Sequence, residues 1–197
     1  MSDNKLLVHP ADPEALPPST EALQAMLAKL GLIAEPFDYF GLVHFRPGPR
    51  FFDLVPFEHS RRVIELKHGP GGLRPAGISD SRSHCTLEIS HSGTEVQFLG
   101  AANTETPSCT ACGYACAGWS AMVAEWYDTP STYVWSCPSC RTQWRPWQLD
   151  WHLTCGFGRC CIAVWHVHHG EATPSNELLS ALQSLSGGPW RYFYYQL

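Results

Sequence analysis

Long apolar segments are missing from this chain of 197 residues. The longest uninterrupted apolar run, Cys160 to Trp165, is six residues long, whereas about 18 residues are needed to cross a bilayer. The first residues, MSDNKLLVHP, lack the basic segment and following apolar stretch that mark a secretory signal. We therefore expect a cytoplasmic protein that makes no contact with membranes.

Lysine is scarce, and the motifs of several enzyme classes are absent. None of the three lysines, Lys5, Lys29 and Lys67, follows a Gly-x4-Gly pattern, and the chain contains neither HExxH nor GxSxG. These absences argue against a P-loop NTPase, a zinc protease of that type and an α/β-hydrolase. Scattered carboxylates such as Asp150, Glu171 and Glu177 show no spacing that indicates acid–base catalysis.

Positive charge is in short supply as well. The formal net charge is −5, and residues 105–150 contain two basic and four acidic side chains. Affinity for nucleic acid comes largely from lysine and arginine that neutralise phosphates, so nucleic-acid binding is an alternative and not the leading hypothesis. It would require a basic stripe formed by Arg46, Arg50, Arg61, Arg62 and Arg74.

Cysteine, in contrast, is abundant and regularly spaced. The chain has nine cysteines, and in a reducing compartment they are better explained as metal ligands or core residues than as disulfides. Cys109 and Cys112 form one CxxC pair, and Cys137 and Cys140 form a second after 24 intervening residues. Two such turns can supply four thiolates in the tetrahedral arrangement that zinc prefers.

The paired motifs resemble the zinc ribbon, or rubredoxin-like pair of knuckles, over about Ser108 to Gln143. The resemblance includes Gly113 after the first pair and Pro138 inside the second, and it departs at Arg141, where ribbons often carry glycine. It implies one structural zinc ion, since four thiolates leave no open coordination position. Spacing alone leaves iron open as a second metal. A thioredoxin-type CxxC is a further alternative, although the second pair and Pro146 argue against it.

A second group of possible metal ligands follows the ribbon-like segment. Histidine and cysteine both bind zinc, and three ligands with an open position would make a catalytic site. Buried cysteines and hydrogen-bonded histidines on strands are the more common explanation. A metal-dependent enzyme therefore remains an alternative, and it would use His152, Cys155, Cys160, His166 and His168.

The order of predicted elements indicates an α+β fold with two βαβ-like halves. At each end of the chain a strand is followed by a helix that begins after a Pro-Ser pair, ends at glycine, and leads into an aromatic strand. Each half favours parallel strands, and together they resemble the ferredoxin-like plan. A β-hairpin region lies between the halves. We predict an N-terminal α+β part at 1–104, a zinc-ribbon insertion at 105–146, and a C-terminal βαβ part at 147–197 that packs with 1–104.

Tryptophan is concentrated next to the cysteine pairs. Six of the eight tryptophans fall between Trp119 and Trp151, where Trp147, Leu149 and Trp151 alternate with polar residues in a strand-like pattern. Such rings either fill the core of a small module or form a protein-binding surface. We expect a non-enzymatic zinc-binding protein that acts through contacts with a protein partner or a second copy of itself.

Overall fold

The computed structural model describes residues 4–57, 66–69, 72–75, 85–91 and 93–196, with the backbone alone at 66–69 and 72–75. The described helices are α1 Thr20–Leu30, α2 Phe51–Leu54, α3 Trp119–Asp128 and α4 Asn176–Ser186. The described strands are β1 Lys5–Pro10, β2 Ile33–Tyr39, β3 Leu42–Pro47, β4 Leu66–Gly69, β5 Gly72–Pro75, β6 Leu87–His91, β7 Gln97–Leu99, β8 Trp135–Ser136, β9 Gln143–Trp144, β10 Gly156–Gly158, β11 Cys160–Trp165 and β12 Trp190–Tyr195. None of these helices is long and apolar enough to span a membrane.

Six strands form the main sheet, in the order β12-β1-β11-β6-β3-β2. Every neighbouring pair in this sheet is antiparallel. The two strands of each βαβ-like half run in the same direction but are not neighbours, because β1 separates β11 from β12, and three strands separate β1 from β2. The protein is therefore a mixed α/β structure with mostly antiparallel sheets.

The two long terminal helices begin and end where the sequence predicts. Ser19 caps α1 by accepting a hydrogen bond from the N–H of Ala22, and Gly31 ends it in the left-handed conformation. In α4, Ser175 accepts from the N–H of Leu178, and Gly187 is the left-handed residue at the end. These caps satisfy backbone groups that the first and last turns leave without a partner.

Two large cores lie at different places in the molecule. The first, which we call the helix-side core, fills the space between the main sheet and the helices, with Leu6, Ile162, Leu27 and Leu182 among its fully buried side chains. The second, the aromatic core, is built around Trp126, with residues from α3, β7, β10 and the loops beside the cysteine pairs. It includes Cys116, Met122, Val123, Trp126, Leu149, Trp151, Cys155 and Phe157. The proposed boundaries at 104 and 146 remain a prediction.

Several local predictions differ from the structure. The single aromatic strand predicted after the first helix is a hairpin of β2 and β3, because Phe40 and Gly41 both adopt positive φ angles. The two strands of the expected central hairpin exist as β6 and β7, but β6 pairs with β3 and β11, and β7 pairs with β10. The alternating segment after Pro146 is a 3-10 turn followed by irregular chain.

Candidate metal centre

The four cysteines of the two CxxC pairs converge on one point. Their sulfur atoms all lie within 4.8 Å of one another. The Sγ atoms of Cys109 and Cys140 are 3.7 Å apart, and so are those of Cys112 and Cys137. A tetrahedron with Zn–S bonds of about 2.3 Å has sulfur–sulfur distances of about 3.8 Å. The spacing of the sulfurs is therefore compatible with a four-thiolate metal site.

The two CxxC turns have the same backbone geometry. In the first turn, the N–H of Gly113 donates to the carbonyl of Cys109 (2.8 Å), and the N–H of Cys109 donates to the carbonyl of Tyr114 (2.9 Å). In the second, Arg141 donates to Cys137 (2.8 Å), and Cys137 donates to Thr142 (3.0 Å). These bonds direct both sulfurs of each turn toward the shared point. The short pairing of β8 with β9 holds the second turn.

Hydrogen bonds favour the thiolate form of two of the sulfurs. The side chain and N–H of Thr142 lower the pKa of Cys140 to about 6. Burial opposes ionisation of Cys109, but hydrogen bonds from the Ala111 N–H and the Trp144 indole outweigh it and lower the pKa of this thiol. Thiolates are the form that binds a metal.

The thiol of Cys112 shows the cost of bringing four acidic groups together. The N–H of Tyr114 favours the thiolate of Cys112, but burial and the sulfurs of Cys140, Cys137 and Cys109 raise its pKa to about 11. Like charges at this distance oppose each other's ionisation. A cation at the centre would remove that opposition, so the donor set fits a metal ion.

The metal centre is joined directly to the aromatic core. Trp144 donates its indole N–H to Sγ of Cys109 over 3.3 Å, and the ring of Trp144 packs against the aromatic core. Trp135, which precedes the second CxxC pair, packs against the same core and pairs with Trp144 across β8 and β9. The sequence places both tryptophans near the cysteines, but nothing in the spacing predicts the bond to sulfur.

Gly113 and Arg141 occupy equivalent positions in the two turns, and both adopt the left-handed conformation, with φ of 73° and 61°. A side chain in this conformation costs about 1 kcal/mol, which glycine avoids. We therefore expect Arg141→Gly to raise the free energy of unfolding by about 0.5–1 kcal/mol. Gly113→Ala should lower the free energy of unfolding by a similar amount. The loss would come from backbone strain and not from a clash, because no atom lies within 4 Å of the added Cβ.

Urea unfolding of the metal-loaded protein would measure both changes. Gly118→Ala is a suitable control, since an added Cβ there also meets no atom within 4 Å and its φ of −94° is unstrained. Opposite signs for the two turn variants are the expected result. Equal losses would contradict the argument from backbone conformation.

The residues of the predicted second site are spread over different surroundings. His152 is exposed, with Nδ1 3.5 Å from a carboxylate oxygen of Asp150. Cys155 is buried in the aromatic core, and Cys160 in the helix-side core. His168 bonds through Nδ1 to the side chain of Asn4, and His166 has a positive φ just after β11. Within the described ranges, the Cys109, Cys112, Cys137 and Cys140 set is the one group of three or more potential ligands whose atoms converge.

The arginines of the predicted basic stripe are paired with carboxylates where the structure describes them. Arg46 lies 3.1 Å from Glu35, and Arg50 makes two hydrogen bonds, of 2.9 and 2.8 Å, to Glu177. Arg61 and Arg62 lie outside the described residues, as does the side chain of Arg74. Arg46 and Arg50 therefore do not contribute unpaired positive charge to such a stripe.

The chemistry open to the cysteine cluster is metal binding through four sulfurs. Four protein ligands complete a tetrahedral site, so a metal held here would have no position left for a substrate. Closed sites of this kind stabilise structure. In comparisons with known proteins, no family model, curated protein or solved structure matches the chain.

Proposed function

We propose that this chain is a non-enzymatic zinc-binding protein of the cytoplasm that acts through protein–protein contacts. The observation that carries the proposal is the convergence of the four sulfurs, which all lie within 4.8 Å of one another. Zinc is the usual metal of a closed four-thiolate structural site, and the likeness of the two turns supports a ribbon-type centre. The zinc ion would hold the loops that carry Trp135 and Trp144 against the aromatic core.

The contact surface we propose is the tip of the β2–β3 hairpin. It exposes three neighbouring apolar side chains: Phe40 is 88% exposed, Val43 59% and Leu42 51%. Clusters of exposed apolar residues commonly mark sites of protein association. Strand β2 is also the last strand of the main sheet, and none of the described strands pairs with its outer side, which can accept a further strand.

We propose a second copy of the chain as the partner at this tip. A twofold contact brings the same patch of both copies together, so it needs only one apolar surface. The tip supplies such a surface, and the antiparallel direction of a twofold-related β2 suits pairing at the sheet edge. Pro36 limits that pairing to part of the strand, because proline has no N–H to donate.

Sedimentation velocity over a range of concentrations would test the proposal, with zinc per chain measured on the same samples. The wild type should hold one zinc per chain and dimerise. The double variant Phe40→Asn and Val43→Thr should hold the same zinc and stay monomeric at concentrations at least tenfold higher. Asparagine tolerates the left-handed conformation of position 40, and threonine suits a strand, so the fold should remain.

The matched control is Leu153→Asn, which changes another exposed apolar residue, 69% exposed and with φ of 57°. This variant should dimerise like the wild type. A wild type that is monomeric at every concentration would reject the second copy as the partner. An absence of bound zinc would reject the metal assignment separately.

A further inference from the structure

A cavity of about 100 Å³ lies where the main sheet meets the aromatic core. One wall comes from the main sheet, through His9 on β1 and Arg191 on β12, which face each other across the β1–β12 pair. The opposite wall comes from the aromatic core and its loops, through Trp147, Trp151 and Phe157. The cavity thus combines aromatic rings with an imidazole and a guanidinium group.

His9 is an unusual residue for a cavity wall because it is buried and lacks a hydrogen bond. Its side chain is 2% exposed, and neither ring nitrogen makes a hydrogen bond of normal geometry. Burial, followed by the charge of Arg191, lowers the pKa of His9 to about 4, against a smaller opposing effect of the backbone of Pro10 and Phe157, so the ring is neutral at pH 7. A neutral imidazole carries one donor and one acceptor, and buried polar groups are normally hydrogen-bonded. Rotation of the imidazole ring by 180° about its Cβ–Cγ bond exchanges the position of each nitrogen with that of a carbon. Either edge of the ring can therefore carry a polar atom.

Arg191 supplies positive charge at the cavity. Its guanidinium donates one hydrogen bond, to the carbonyl of Ala11, and has four further N–H groups. The nearby carboxylate of Asp150 is turned toward its own loop: one oxygen accepts from the N–H of His152 (2.9 Å), and the other lies 3.5 Å from its Nδ1. Cys155 in the same wall is a neutral thiol, because burial raises its pKa. Asp150 also lines the cavity, but its oxygens face its own loop, so Arg191 is the side chain that offers charged hydrogen-bond donors to a ligand.

We propose that this cavity is a binding site for a small monocarboxylate. The carboxylate would accept hydrogen bonds from Arg191, and a neighbouring polar atom of the ligand would bond to His9. A short apolar part would lie against the faces of Trp147 and Trp151. A cavity of about 150 Å³ holds benzene, so this one suits a molecule of about four to six non-hydrogen atoms. A single arginine beside three aromatic rings favours a singly charged carboxylate over the more strongly hydrated phosphate.

The test is a titration of the metal-loaded full chain with sodium lactate and sodium acetate, followed by nuclear magnetic resonance. Sodium chloride at the same ionic strength and inorganic phosphate serve as comparisons. Saturable shifts at the indole N–H groups of Trp147 and Trp151 and at the ring nitrogens of His9 are expected with the carboxylates. No saturable shift with either carboxylate, or equal shifts with sodium chloride, would overturn the proposal; tighter binding of phosphate would overturn the assigned ligand class.

Three variants make the test specific. Arg191→Gln should weaken carboxylate binding at least tenfold, and His9→Phe should also weaken it while preserving the packing of an aromatic ring beside Phe193. Arg46→Gln, which removes one positive charge on β3, should bind like the wild type. If His9→Phe is unstable, the Arg191→Gln variant still tests the proposal, because Arg191 is an exposed residue. Unchanged affinity in Arg191→Gln would show that the cavity does not bind the carboxylate as proposed.

Discussion

Loss of the metal ion is expected to unfold the aromatic core, with a larger effect on stability than any other change considered for this chain. Structural zinc contributes an apparent 10–16 kcal/mol or so in small zinc-dependent domains, which is comparable to the whole stability of a typical protein. Here the ligands include Cys109, which is bonded to Trp144, and the loops around the site pack on the aromatic core. Without the cation, repulsion between the sulfurs would separate the two turns.

Removing the metal from the wild type with a chelator should have the same effect as replacing two of the cysteines in the double variant Cys109→Ser with Cys137→Ser. Near-ultraviolet circular dichroism should lose the tryptophan signal, and the amide of Trp126 should lose protection from hydrogen exchange. The matched control is Cys116→Ala, which removes a buried cysteine of the same core that is not among the four ligands. It should keep its metal and its tryptophan signal. A core that stays folded and protected without metal would contradict this prediction.

Replacement of Trp126 by alanine is expected to cost about 3–5 kcal/mol, the range for removal of a large buried aromatic side chain. Trp126 is fully buried and packs against Tyr127, Trp147 and Phe157, with ring centroids 4.7–6.0 Å apart. No other residue of the aromatic core is as completely enclosed among those described. The alanine variant would leave a cavity at the centre of that core.

Trp126→Phe provides the companion measurement. The indole nitrogen of Trp126 is buried without a hydrogen-bond partner, so the phenylalanine variant loses volume but also removes an unsatisfied donor. We expect its loss of stability to be less than half that of alanine in denaturant unfolding with metal present. A phenylalanine variant as unstable as the alanine variant would mean that the indole nitrogen has a partner after all.

The parts of the structure that sequence predicts well are those fixed by neighbouring residues. The caps at Ser19 and Ser175 act within one helical turn, and each CxxC pair lies within a single backbone turn. The four-cysteine cluster could therefore be predicted from spacing alone. Even Arg141, where the pattern departs from glycine, adopts the glycine-like conformation because the turn geometry prevails over the residue's preference.

The parts that sequence predicts poorly depend on distant residues. Helix α3 begins at Trp119, after Gly118, which supplies no side-chain cap, so no local signal marks the start of the helix. Strand β7 pairs with β10 instead of with β6, and that choice is made by the packing of Phe98 against Phe157 and Trp151 in the aromatic core. The cavity beside His9 is also invisible in the sequence, because its two walls come from different parts of the fold.

The position of β1 also affects how the chain can fold during synthesis. Leu6 pairs with Val164 on one side and with Tyr194 on the other, so both partners of β1 are made long after β1 itself. At a synthesis rate of roughly 5–20 residues per second, β1 would remain without its partner strands for on the order of ten seconds or more. The cysteine pairs and α3 leave the ribosome during that interval. The cysteines can therefore bind metal before β1 pairs with β11 and β12. The apolar side chains of β1 are meanwhile without their sheet partners, and a chaperone that shields this segment would raise the yield of folded protein.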